Sequence, residues 1–346
     1  MRTLTSTLTT AQQSDNRTPY IYLRFTSADG GTTYDYHVTG GSDDYVLQAK
    51  VEEMPYSSKG TIVLRNNDRT IPDLRGYWVE PGYGDVTTEG NEYEQLPRMW
   101  VKAQNEFSSI GQLYVQLDLQ GMWEVLDEIE WKLAGTAPFY EYAYDTATPL
   151  TILQACFTAA GMTLTNTVDD GIIDTVSVYF LVNSQARSGT FDSLKDVIYR
   201  AISLTKCYIK LDTSMNATVV YPQTDDETDN TYYTTSTSGY LPAYFYNEKK
   251  NVLLPNKITV EANKAGSWDV TETSEDTDAQ AMYDPDGGGE INQTWLLAQI
   301  TNATDAAKIA AALLTKSKAE IMSVYFEVPH DASAELYDKD AVVDSR

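Results

Sequence analysis

VLQAKVEEMPYSSKGTIVLRNNDRTIPDLRGYWVEPGYG, residues 46–84, decides the fold class. Apolar and polar residues alternate at period two through VLQAKVEEM and again through GTIVLRNND, the signature of half-buried strands. The second run ends in Asn-Asn-Asp, whose short side chains bond the local backbone and tolerate left-handed geometry. The stretch therefore predicts strands joined by turns. It holds no nucleophile with a base, no metal-ligand spacing and no phosphate loop, so its patterning serves structure. Pro55, Gly60, Asn67, Gly76, Trp78 and Gly84 would shape its turns and the packing of a barrel.

The same alternation extends outward. Residues 1–19, rich in Thr, Ser, Gln and Asn, read as an N-terminal arm, extended or a fraying helix. YIYLRFTS and YDYHVTG precede the opening stretch as hairpin strands; YWVEPGYG, RMWVKAQNEF and GQLYVQLDLQGMWEVL carry strand pattern to about residue 126. Residues 20–137 are thus expected to form a first β-barrel-like domain, mostly antiparallel.

The period then changes. TPLTILQACFTAAGMTL places Leu150, Leu153, Phe157 and Ala160 at helical spacing, with Thr148 as N-cap and Gly161 as the stop. SVYFLVNS reads as a strand, TFDSLKDVIYRAISLT puts Leu194, Val197, Ile198, Ala201 and Ile202 on one helical face, and CYIKLDTSMNATVVYP reads as a hairpin turning at Ser214–Asn216. Residues 138–222 are expected to be α+β. Residues 223–249, acidic and Thr-rich at first, suit a linker or loop. Residues 250–346 are expected to form a second β-barrel-like domain: NKITVEA, WDVTETS and MSVYFEVPHD are strands, and an Ala-rich helix starts near a Thr304 cap. The fold class is mainly β with an α+β insertion, two β-barrel-like domains plus a smaller α+β domain.

Composition narrows function. The 346 residues exceed one typical domain, and 42% hydrophobic with 11% aromatic content is too apolar for a disordered chain. Fifty acids against 25 bases give a formal charge of −25, which removes the neutralising surface that phosphate binding needs. Such a surface keeps DNA from adhering, and it also suits a salty medium. Cys156 and Cys207 fit neither a disulfide framework nor a zinc pattern and read as buried thiols. With no signal-peptide pattern and no run near the roughly 20 apolar residues of a membrane span, the expected product is soluble, made in the cytoplasm and not inserted in a membrane.

Candidate chemistry is sparse. The two histidines, His37 and His330, lie in or beside strand patterns, outside any catalytic or zinc motif. Glu124, Asp127, Glu128 and Glu130 cluster after Trp123, where an acid pair beside an aromatic could serve glycan hydrolysis or simply form a solvated face. Asp284, Asp286 and Glu290 surround a Gly turn and offer hard oxygens to calcium, without a full twelve-residue loop; a plain turn is the simpler reading. No catalytic, cofactor or metal residue is assigned. The 25 tyrosines favour an interaction role, since Tyr is enriched in protein interfaces.

EEMPYSSKGTIVLRNND, IPDLRGYWVEPGYG, NEYEQLPRMWVKAQ and GQLYVQLDLQGMWEVL, in that order, resemble the first barrel of phage tail hub proteins, also called baseplate hub or tail-tip proteins, which are related to hubs of contractile injection systems. PLTILQACFTAAGMTL, TFDSLKDVIYRAISLTKCYIKLD, ATVVYP and NKITVEA then follow in the order of that family's α+β insertion and second barrel. The resemblance implies a homotrimer whose barrels form a pseudo-sixfold ring, adapting the hexameric tail tube to a trimeric spike or fibre. It implies contacts with the tail tube protein, distal tail or baseplate proteins, the spike or fibre and a tape measure protein, with DNA passing through unbound during genome ejection. The implied location is the virion tail tip, assembled in the host cytoplasm, and the implied role is not enzymatic. Hubs of this kind commonly continue past the point where LYDKDAVVDSR ends this chain, so either this is a minimal hub or further functions sit on separate chains. The rival readings are a peripheral receptor- or carbohydrate-binding module, a cell-wall glycan hydrolase, and another tail position built on similar barrels, such as the distal tail protein or a tube-end adaptor.

Overall fold

The computed structural model describes residues 2–38, 44–131, 142–182, 192–223, 225–235, 240–264, 267–284, 289–297, 300, 302–320 and 322–344. The chain is mainly β with α+β parts. It opens with helix α1 (Ser6–Gln12) and strands β1 (Pro19–Thr26), β2 (Thr33–Val38), β3 (Val46–Met54), β4 (Ser57–Arg65), β5 (Trp78–Thr87), β6 (Gly90–Gln95), β7 (Met99–Ser109) and β8 (Gln112–Gly121). These eight strands form one antiparallel sheet in the order β2-β1-β5-β7-β8-β4-β3, with β6 paired to β5. Alternation dictates its interior. Val115, Leu117 and Leu119 of β8 and Ile62 and Leu64 of β4 point the same way, and all are buried with Leu23, Phe25, Val79 and Val101. The sheet curls so that Tyr36 at one edge and Tyr45 near the other bring their rings 5.8 Å apart.

The residues singled out in the opening stretch hold this sheet in shape. Pro55 and Tyr56 make the two-residue turn between β3 and β4, with Tyr56 at φ 60°. Asn67 accepts the Leu113 N–H at 2.7 Å, and the Arg98 guanidinium lies 3.8 Å from the Trp78 ring centre.

The expected strand through residue 126 is corrected: β8 stops at Gly121 and helix α2 (Met122–Glu128) follows. Met122, Trp123 and Leu126 recur at helical spacing, and burying them together is possible only on a helix. After it come β9 (Tyr142–Ala147), α3 (Pro149–Ala159), β10 (Leu164–Asn166), β11 (Val178–Val182), α4 (Leu194–Ser203), β12 (Tyr208–Leu211) and β13 (Ala217–Val220). Thr148 caps α3 by accepting the Thr151 N–H, and Gly161 beyond its end takes φ +74°. Ser193 and Asp196 form a reciprocal capping box on α4.

The remaining elements are β14 (Asn230–Tyr233), β15 (Leu241–Pro242), β16 (Phe245–Lys250), β17 (Lys257–Lys264), β18 (Ser267–Glu275), α5 (Thr277–Tyr283), β19 (Asn292–Leu297), α6 (Ala303–Glu320), β20 (Met322–Glu327) and β21 (Asp340–Val343). They build small sheets: β15-β14-β21, β16-β20 and β18-β17-β19. Residues 230–233, read from sequence as part of a linker, are a strand; Tyr232 is buried and donates to Asp331 at 2.9 Å. Its parallel partner β21 lies more than a hundred residues on, beyond the reach of local pattern. The α6 cap is also corrected, from Thr304 to Asn302, whose side chain accepts the Asp305 N–H at 2.8 Å.

Two cores result. The first sheet encloses its own. The second is continuous from α3 and α4 (Phe157, Val197, Ile198) through β17 (Ile258, Val260) to α6 (Ile309, Ala310).

Candidate interaction surface

The residues nominated for chemistry disperse in the fold. Glu124 accepts from the Ser57 hydroxyl at 2.6 Å and the Ser58 N–H at 3.2 Å, tying α2 to β4. Asp127 accepts from Ser193 at 3.2 Å, Glu128 pairs with Lys102 at 2.6 Å, and Glu130 bridges to Ser193 through the backbone. The first three thus serve separate structural partners. Burial pushes the Cys156 thiol up to about 12 and raises Cys207 as well, the nearby Asp170 charge adding to it, which is the reverse of an activated nucleophile. Glu290 is held by Lys257 at 3.0 Å, and the Asp284 N–H closes the end of α5; Asp286 lies outside the described residues. Among the described residues no group of three or more His, Cys, Asp or Glu is placed to hold a metal ion, and no helix is long and apolar enough to cross a membrane.

What the fold does assemble is a junction. The N-terminal arm carries two arginines, and both reach across units. Arg17 donates to the fully buried Asp85 of β5 at 2.8 Å and to the His330 carbonyl at 2.7 Å. Arg2 donates to the Ala334 carbonyl at 2.7 Å and lies 3.6 Å from Glu335 and 3.9 Å from Glu53 of β3. Glu335 in turn takes Lys210 of β12 at 2.7 Å. Thr5 and Thr7 both donate to Glu92 of β6. The arm thus ties the first sheet and the C-terminal segment together, and Glu335 extends the tie to the β12–β13 hairpin. Composition gave a faint signal for this, two arginines in an otherwise almost uncharged arm, and the reading of the arm as a fraying end missed it.

Beside the junction lies a cavity of about 970 Å³ whose walls include Tyr20, Tyr83, Tyr233, Tyr240, Tyr244 and His330. Tyr83 stacks on His330 with centroids 4.3 Å apart, and Tyr233 meets Tyr240 at 4.4 Å. Burial pushes the Tyr83 phenol up to about 12, so near neutral pH it stays a neutral donor. Such walls offer ring faces for stacking and hydroxyls for hydrogen bonds.

No protein-family model matches the sequence, and no curated protein matches it significantly. Solved structures do. The chain is similar to the tail protein of Neisseria meningitidis MC58, with a TM-score of 0.64 at 11% identity over 94% of this chain and 86% of that one. It is also similar to the 43 kDa tail protein of prophage MuSo2 from Shewanella oneidensis, with a TM-score of 0.64 at 11% identity over 94% of this chain and 89% of that one. Across almost its whole length, the chain shares the fold of these two tail proteins.

Proposed function

We propose that this chain is a structural virion protein, the hub of a phage tail or baseplate. As a homotrimer it joins the hexameric tail tube to the trimeric spike or tip and lines the channel through which DNA leaves. The observation that carries the reading is the fold shared over 94% of the chain with two tail proteins. The physics is compatible: a ring of copies closes heterologous interfaces, and a chain of charge −25 offers DNA nothing to adhere to. The dispersal of the nominated acids and the buried, unactivated cysteines support a role other than catalysis. The test is gold labelling of the native particle with an antibody against this chain, together with co-purification of the tail tube protein. Label confined to the tail tip and recovery of the tube protein are expected; label along the tail or at peripheral fibres would contradict the reading.

The tyrosine-walled cavity favours one second reading, a carbohydrate-binding module, because stacked phenols and hydroxyls suit a sugar face. Retention on host-surface glycan with loss of binding in Tyr240→Ala would support it, and no retention would remove it.

A further inference from the structure

A second cavity, of about 670 Å³, opens where the β3–β4 turn, α4, β12, β19 and α6 meet. The rings of Tyr56, Tyr199, Tyr208 and Trp295 wall it, with Tyr56 and Tyr199 edge-on at 5.5 Å. Tyr199 is 56% exposed and Leu254, on the same wall, 48%, so the cavity communicates with solvent. Its volume and aromatic lining are those of a small-molecule site. None of the nominated acids, cysteines or histidines lines it.

Charge narrows the ligand. The chain has 50 acids against 25 bases, yet among the described residues lining this cavity there is no carboxylate and one formal charge, the Lys316 ammonium. That ammonium is held in place: it donates to the Ile202 carbonyl in the last turn of α4 at 3.0 Å and lies 4.9 Å from the Tyr208 ring centre. Neither contact cancels its charge. The Trp295 N–H adds a donor, for it is buried and has no hydrogen-bond partner among the described residues. The tyrosine-walled cavity beside the arm differs, because its Arg17 is paired with Asp85 and Asp15 also lines it.

We propose that this cavity binds a small amphiphilic anion, an aromatic or branched apolar frame carrying a carboxylate or sulfonate, with the frame on the ring walls and the anionic group on Lys316. A chain of charge −25 repels such anions over most of its surface, and a partly buried cation among rings is where one is retained. A neutral molecule of the same frame gains only the walls. The assignment is independent of the hub reading.

Two fluorescent probes of one frame test it, the anionic anilinonaphthalene sulfonate and the neutral phenylnaphthylamine, titrated into the full chain and into Lys316→Met, Lys316→Arg and Tyr199→Ala. The wild type is expected to give a saturable signal with both. Lys316→Met should bind the sulfonate about tenfold more weakly and the amine within about twofold of the wild type, while Lys316→Arg keeps the sulfonate. Tyr199→Ala, at an exposed position, should weaken both probes about fivefold, and it decides if Lys316→Met alters the circular dichroism spectrum. The proposal is overturned by absence of saturable sulfonate binding, by unchanged sulfonate binding in Lys316→Met, or by equal loss of both probes in that variant. Tyr199→Ala binding both probes as the wild type does overturns it as well.

Discussion

Two carboxylates share the Arg2 guanidinium and shift in opposite directions. Burial pushes Glu335 up, but the bonded Lys210 and the charges of Lys210 and Arg2 outweigh it, so its pKa falls below the usual value. On Glu53, with Arg2 at 3.9 Å, burial outweighs the Arg2 and Lys210 charges, the Glu335 charge adds to it, and the pKa rises. The signs follow. Glu335 stabilises the fold above its unfolded value and loses that contribution as pH falls through its depressed folded value. Glu53 contributes below its unfolded value and loses the contribution as pH rises through its raised one. At pH 7 Glu335→Gln is therefore expected to cost about 1.5–3 kcal/mol in urea unfolding, the loss fading in acid, while Glu53→Gln costs less than about 1 kcal/mol or stabilises. Equal losses at pH 7 would contradict this assignment. Two glycines of the opening stretch separate in the same way. A Cβ on Gly84 would lie 1.9 Å from the Glu92 carbonyl oxygen across the β5–β6 ladder, whereas Gly76 has open space but sits at φ +80°. Gly84→Ala is expected to cost about 3 kcal/mol or more and Gly76→Ala about 1 kcal/mol, read from thermal melts.

Helix starts show what local sequence carries. Asn302→Ala should destabilise the protein by about 1 kcal/mol, because Asn302 caps α6, while Thr304→Ala inside the first turn should change stability by less than about 0.5 kcal/mol; chemical denaturation of the two variants checks this. The five residues placed on the inner face of α4 are the five it buries, because one stripe at a 3.6 period faces one core. The β3–β4 and β12–β13 hairpins were equally legible, their strands being joined by short turns. Helix α2 was not: Trp123 and Val125 continue a strand alternation, and only the packing of Met122, Trp123 and Leu126 together selects the helix. Strands β14 and β16 were hidden for another reason, since their partners lie far along the chain; β20 was read as a strand, but not its pairing. The abundance of Tyr pointed to interaction surfaces, but which tyrosines gather is a matter of register and topology.

At the scale of the molecule, the fold holds two separate cores and an arm whose arginines tie the first sheet to the C-terminal segment. The charge of −25 predicts that the protein does not retain double-stranded DNA in a filter-binding assay even at low salt; retention would remove the proposed lining of a DNA channel. The hub account itself turns on stoichiometry. The most direct measurement is the mass by light scattering of the purified chain, alone and with its tail tube protein. The account predicts a species, free or on partner addition, that contains three copies of the 38.6 kDa chain. A stable monomer under both conditions would contradict it.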